Sequence, residues 1–187
     1  MSATVSVFCV LLTVALSLNV AVAQDFYWRD YYYGSIPCDA VEGALGRYIG
    51  QVNRYGDIVA TIYPHNGTAI TDIFGKQSFT SYIKIFCTNR PENLYWEKVD
   101  FNAPKAGQMK NVVRGGFQID NDTQFNLYIG KALHENEWKI GKVVDITHRW
   151  KGLWLWSENG VSVSVQEFFL LKYRRSTTSC NAAAAYQ

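Results

Sequence analysis

Charge of one sign is scarce in this 187-residue chain. Its 18 lysines and arginines stand against 16 aspartates and glutamates, a net charge of +2, and no basic block breaks the balance. A nucleic-acid partner needs a concentrated basic footprint, so that class is not indicated. Histidine is as thinly spread: His65, His134 and His148 fall in separate loop-like stretches. The four cysteines form no Cys-x-x-Cys pair. No metal ligand set and no cofactor is therefore expected. Helical periodicity is weak outside a short alanine-rich tail, which argues against a helical fold. No serine, cysteine or threonine carries the local signature of an activated nucleophile, and Asp120 and Asp122 read as a solvated loop rather than a pair of glycosidase carboxylates. The chain is expected not to be an enzyme.

Long hydrophobic runs are also missing, with one exception. Residues 5–22 are apolar and uncharged, and Ala21-Val22-Ala23 makes a small-x-small cleavage site before Gln24-Asp25. Residues 1–23 read as a signal peptide, although they lack the usual early lysine or arginine. No basic stop-transfer flank follows, so a membrane anchor is not favoured, and nothing later is long enough to span a bilayer. The expectation is a secreted, extracellular protein.

What the chain does have is aromatic residues, 12 tyrosines, 10 phenylalanines and 6 tryptophans, together with short β-forming phrases broken by glycine and asparagine. The central phrase is Phe125-Asn126-Leu127-Tyr128-Ile129-Gly130-Lys131. A polar elbow, His134-Glu135-Asn136-Glu137, follows, and Trp138-Lys139-Ile140-Gly141-Lys142-Val143-Val144 resumes the apolar pattern. Residues 47–51 and 55–58 repeat this design in worn form: Tyr48-Ile49-Gly50 and Tyr128-Ile129-Gly130 are the same tripeptide, and Asp57 and Glu137 each lie nine residues after its tyrosine. Two copies of one antiparallel β-module are expected, the first over residues 38–87 and the second over 112–173. Residues 24–37 read as an aromatic extended segment laid against a sheet. Residues 88–111 read as a connection with one short strand near Leu94, and residues 174–187 as a frayed tail. A longer loop is expected between Gly116 and Phe125, and a hairpin around Ser157-Glu158-Asn159-Gly160. Trp154 and Trp156 share a strand face and, with Trp150, are expected in the core rather than on a stacking platform.

Removal of the leader takes Cys9 and leaves Cys38, Cys87 and Cys180. Cys38 and Cys87 bracket the first repeat, so a disulfide between them is expected in an oxidising compartment. For Cys180 three alternatives stay open: a free thiol, a link between two chains of a homodimer, or pairing with Cys38 or Cys87. Asn66-Gly67-Thr68 and Asn121-Asp122-Thr123 are N-glycosylation sequons.

The phrases Val113-Arg114-Gly115-Gly116, Leu127-Tyr128-Ile129-Gly130-Lys131-Ala132 and Ile140-Gly141-Lys142-Val143 resemble the DM9 domain, also called the DUF3421 family, of insect and mollusc proteins. Phe74-Gly75-Lys76-Gln77 before Tyr82-Ile83-Lys84-Ile85 is similar to that module's closing strand pair. The resemblance implies an all-β fold of two intertwined, pseudo-symmetric antiparallel β-modules. It also implies a metal-free, mannose-type lectin, here a secreted variant of saliva, haemolymph or innate immunity. Carried over from the family pattern, the sugar-holding residues are Lys142, Glu137 and, where the family has an aspartate, Gln118. In the first repeat Gly43-Ala44-Leu45 offers no acid, and the lysine position falls near Ile62.

Vicinal sugar hydroxyls donate to a carboxylate and accept from an ammonium group, which Glu137 and Lys142 could supply; Gln118 could add an uncharged amide contact. The bland alternative is a surface ion pair worth about 0–1 kcal/mol. At the level of the whole protein, a glycan-binding protein stands against a structural or protein-interaction protein that kept the fold and lost the sugar site. A carrier of small apolar ligands is a third class.

Overall fold

In the computed structural model, residues 25–100, 103–144 and 152–174 are described. The expected signal peptide, His148, Trp150, Cys180 and all but the first residue of the expected tail lie outside them. Among the described residues the fold is antiparallel β throughout, with two short helical turns at Pro91–Asn93 and Lys105–Gln108.

Seven strands make the first module: β1 (Phe26–Asp30), β2 (Glu42–Ala44), β3 (Arg47–Asn53), β4 (Gly56–Tyr63), β5 (Thr68–Asp72), β6 (Lys76–Phe79) and β7 (Ile83–Thr88). Seven make the second: β8 (Leu94–Lys98), β9 (Arg114–Asp120), β10 (Thr123–His134), β11 (Glu137–Val143), β12 (Leu153–Trp156), β13 (Ser162–Val165) and β14 (Phe169–Tyr173). Their pairings match one for one. The chain of pairs β2-β3-β4-β5-β6 corresponds to β9-β10-β11-β12-β13. The return strand β7 pairs with β3 and β1, as β14 pairs with β10 and β8. The register matches as well: Tyr48, Ile49 and Gly50 face Ile62, Thr61 and Ala60, while Tyr128, Ile129 and Gly130 face Val143, Lys142 and Gly141. The repeated tripeptide therefore marks equivalent positions. The position matching Lys142 is Thr61, one residue from where the sequence put it.

Turn chemistry explains why these phrases close as hairpins. Asn121 and Asp122 have φ of 45° and 62°, and Glu135 and Asn136 have φ of 52° and 59°. Both pairs are left-handed at two successive residues, the geometry whose twist suits a two-residue hairpin. The expected longer loop before Phe125 is thus absent: β9 runs straight to Asp120 and turns tightly, because the Asn121-Asp122 pair supplies the turn. The strand expected near Leu94 is present, but it belongs to a module rather than to a connection. It is β8, the counterpart of β1, and it closes the second module against β14. Lys76 and Gln77 begin β6.

The modules share one interior. Ile49, Val52, Ile58, Val59 and Ile62 of the first pack in the same buried cluster as Leu127, Ile129 and Ile140 of the second. A second cluster gathers Tyr63 with Val143, Leu153, Leu155, Trp156 and Phe168. Trp156 is core, as expected, whereas Trp154 is only half-buried. From the N-terminal segment, Phe26 and Trp28 pack on Phe86, while Tyr32 and Tyr33 stay exposed. The two halves also pair directly, Gly56 with Gln118 and Asp57 with Phe117. That junction requires glycine. A Cβ on Gly116 (φ 151°) would lie 2.0 Å from the Asp57 carbonyl oxygen, and one on Gly56 (φ 123°) would lie 2.3 Å from that of Phe117.

Side chains cross between the modules in matched fashion. The Gln51 amide donates to the Gly115 carbonyl at 2.8 Å, and its counterpart Lys131 donates to the Gly43 carbonyl at 2.7 Å. Lys131 also lies over the Trp96 ring at 4.3 Å, a cation–π contact.

The expected disulfide is not formed: Cys38 and Cys87 are both free thiols. Cys87 sits mid-strand in β7 opposite Tyr27, and an isolated bridge to Ala40 brings the chain beside it close. Its thiol nevertheless lies in the core, near the Ile85 carbonyl at 3.7 Å, while Cys38 is exposed. Burial pushes the Cys87 thiol up to about 12, which keeps it protonated. Bracketing a repeat brought the backbones together without bonding the sulfurs.

Candidate functional site

Among the described residues several clefts open between the modules. One lies between residues 38–42 of the first and Leu94, Trp96 and Leu171 of the second. Two others are related to each other by the pseudo-twofold. Of these two, the first cleft is lined by Asp72 and Phe74 from the first module and by Gln118, Asp120, Phe125, Lys142, Val144, Trp154 and Ser162 from the second. Its floor is polar. The Lys142 ammonium, 5 % exposed, donates to the Asp72 carbonyl at 2.7 Å and to Gln118 Oε1 at 2.9 Å, and faces Asp72 Oδ2 at 3.5 Å. Asp72, 3 % exposed, also accepts from the Gly75 N–H at 3.1 Å and, at Oδ1, from the Ser162 hydroxyl. Burial holds the Lys142 ammonium below the usual lysine range, with Asp72 opposing. A buried charge persists only when paired and hydrogen-bonded, and here the partner carboxylate comes from the other module. The wall is apolar: the rings of Phe74, Phe125 and Trp154 flank the floor, and the half-buried Asp120 stands at the rim.

The second cleft is the pseudo-twofold partner of the first. Tyr63, Ile70, Lys76, Trp156 and Glu158 line it, at positions that the strand registers match to Val144, Trp154, Ser162, Asp72 and Phe74 of the first. Its chemistry differs. Glu137 Oε1 accepts from Arg47 Nε at 3.2 Å and Nη2 at 3.1 Å, and the guanidinium lies over the Tyr63 ring at 4.4 Å. Burial and the neighbouring Glu137 push the Tyr63 hydroxyl up. Lys139 is tied to Glu135 Oε2 at 2.8 Å and to the Trp156 carbonyl at 3.0 Å.

Of the three residues expected to share a site, Gln118 and Lys142 meet and Glu137 does not. Glu137 and Lys142 both lie on β11, five residues apart, and strand alternation places an odd spacing on opposite faces. That signal was present in the sequence. Asp72, Ser162 and Phe74 carried no comparable signal, since only the closure of one module on the other brings them to Lys142. Both sequons sit on exposed turns. Asn66 lies at the rim of the second cleft, its side-chain oxygen accepting from the Thr68 hydroxyl at 2.6 Å, and Asn121 lies in the β9–β10 turn. Among the described residues no group of three or more His, Cys, Asp or Glu side chains is placed to hold a metal ion.

Comparison with protein-family models and with curated proteins finds no match to this chain.

Proposed function

We propose that this chain is a binding protein of the carbohydrate-recognition class, with the first cleft as its site. More particularly, it is a secreted lectin of the DM9 type, mannose being its first candidate sugar. The observation that carries this reading is the pairing of a rigid polar floor with an aromatic wall in one cleft. A pyranose presents hydroxyl groups at its edge and an apolar face, and those are the two chemistries the cleft offers. With its carbonyl oxygen engaged by Lys142, Gln118 directs its amide N–H groups as donors, and Asp120 supplies an acceptor. Asp72 and Lys142 hold Gln118 in place. Nothing in this arrangement calls for a nucleophile or a proton shuttle, so the role proposed is recognition rather than catalysis.

One observation favours the rival class, a protein-interaction module without sugar affinity: the Lys142 ammonium already spends its hydrogen bonds inside the protein. A glycan array probed with the full chain separates the two. Binding that free mannose or another monosaccharide competes away, and that drops about tenfold or more in Gln118→Leu, is expected, since the apolar replacement forfeits the donors and leaves Lys142 short of a partner. No retention on any glycan would overturn the lectin reading in favour of its rival.

A further inference from the structure

Three bulky aromatic residues of the first module are exposed on left-handed backbone: Tyr55 (φ 57°, 55 % exposed), Phe74 (φ 54°, 78 %) and Tyr82 (φ 53°, 91 %). Left-handed φ is uncommon for such residues, and an exposed ring gains little from burial to offset it. All three lie at one end of the module. Tyr55 is in the β3–β4 turn, Phe74 is in the β5–β6 turn, and Tyr82 precedes Ile83, which faces Val52 at the end of β3. Two of them are joined to the first cleft. Phe74 is part of its wall, and the Tyr55 ring stands 6.3 Å from that of Phe74 at an edge-to-face angle of 75°. The Tyr55 carbonyl accepts the Ile119 N–H at 2.7 Å, which ties the turn to the strand carrying Gln118. The Arg54 guanidinium lies over one face of the Tyr55 ring, 5.7 Å from its centroid, and brings donors to the edge of that ring.

We infer that Tyr55 and Arg54 form a second sugar subsite, continuous with the cleft through Phe74, so that the ligand is an oligosaccharide and not a single sugar. The inference rests on the proposed glycan-binding role of the cleft. An exposed aromatic ring with a guanidinium over one face suits a pyranose unit, which stacks its apolar side on the other face while its hydroxyls accept from the guanidinium at the ring edge. The turn geometry holds the ring out from the sheet, one ring-to-ring step beyond the wall. Asp57 follows the Tyr55 turn and Asp120 lines the adjoining cleft, so this end is not a concentrated basic patch, and a neutral glycan chain suits it better than an anionic lipid headgroup.

Calorimetric titration of the full chain with one- to four-unit ladders of mannose, glucose and N-acetylglucosamine tests this. Affinity is expected to rise about three- to tenfold from one unit to two or three on the ladder that binds. Tyr55→Asn should abolish the rise and leave single-unit affinity unchanged. Asparagine suits the left-handed turn, so the fold is retained. Equal affinity along the ladder, or a rise that survives Tyr55→Asn, overturns the second subsite while leaving the cleft as the site. Failure of every member to bind overturns the cleft reading and the subsite with it.

Discussion

Thr61 and Lys142 occupy the same register position in the two modules, each opposite the isoleucine of the repeated Tyr-Ile-Gly tripeptide. Both reach across to the other module, yet they do different things there. Thr61 is wholly buried, its hydroxyl donating to the Ile140 carbonyl at 2.7 Å and accepting from the Ile140 N–H at 2.8 Å. Lys142 carries a charge to Asp72 and Gln118 beneath an open cleft. A symmetric scaffold has thus been given one neutral cross-tie that seals and one ionic cross-tie that builds a polar floor. The clefts diverge in parallel, an aromatic wall in the first and an Arg47–Glu137 pair in the second. Duplication supplies the frame, and the few residues at equivalent positions decide the chemistry of each cleft.

The most damaging way to break this comparison is Lys142→Met. It leaves the buried Asp72 carboxylate without its cation, and breaking a buried pair from one side costs about 3–5 kcal/mol. Denaturant unfolding measures it, and a loss below about 1 kcal/mol would mean the ion pair is not the cross-tie described. Thr61→Val, nearly isosteric, orphans the N–H and carbonyl of Ile140 and is expected to cost about 1–3 kcal/mol by the same measurement. The order of the two losses is the sharper result: the neutral tie should be the cheaper one to remove.

The smallest effect concerns Glu135, in the turn of the second module's hairpin. Its hydrogen bond from Lys139 comes first, with backbone N–H donation from Glu158 assisting, and holds its carboxyl below the usual value of 4.5. A carboxylate with a lowered folded-state pKa contributes stability that is present above 4.5 and is lost as pH falls through the lowered value. A Glu135→Gln chain should therefore lose less stability on acidification than the natural sequence. Identical acid unfolding profiles would remove Glu135 from the account. The first module has no counterpart, because its hairpin joins Gly50 to Ala60 where the second joins Gly130 to Gly141, one residue less, and carries Tyr55 at the matching position.

Much of the fold could be read in advance. Alternating apolar phrases separated by Asn, Asp and Gly specify antiparallel hairpins through local sterics alone, and the repeated tripeptide marked the internal symmetry correctly. The errors were of two kinds. The loop expected before Phe125 and the connection expected over residues 88–111 came from judging segments singly, where strand β8 gains its meaning only by pairing with β14. The Cys38–Cys87 bond came from arguing from sequence position to sulfur geometry, while packing turned the Cys87 thiol into the core. At the site, Lys142 and Gln118 were identified together and do touch, whereas Glu137 was grouped with them against the strand alternation that separates them.

By itself, then, the sequence determined the β class, the duplication and the turns, because these depend on residues within a few positions of one another. Only the tertiary structure decided that the cleft would take its carboxylate and one aromatic wall from the other module. Asp72 and Lys142 are 70 residues apart, and their contact exists because the two modules bury a common core. No local propensity encodes a contact of that kind. It follows from the packing of the whole chain, which also makes a charge as deeply buried as Lys142 tolerable.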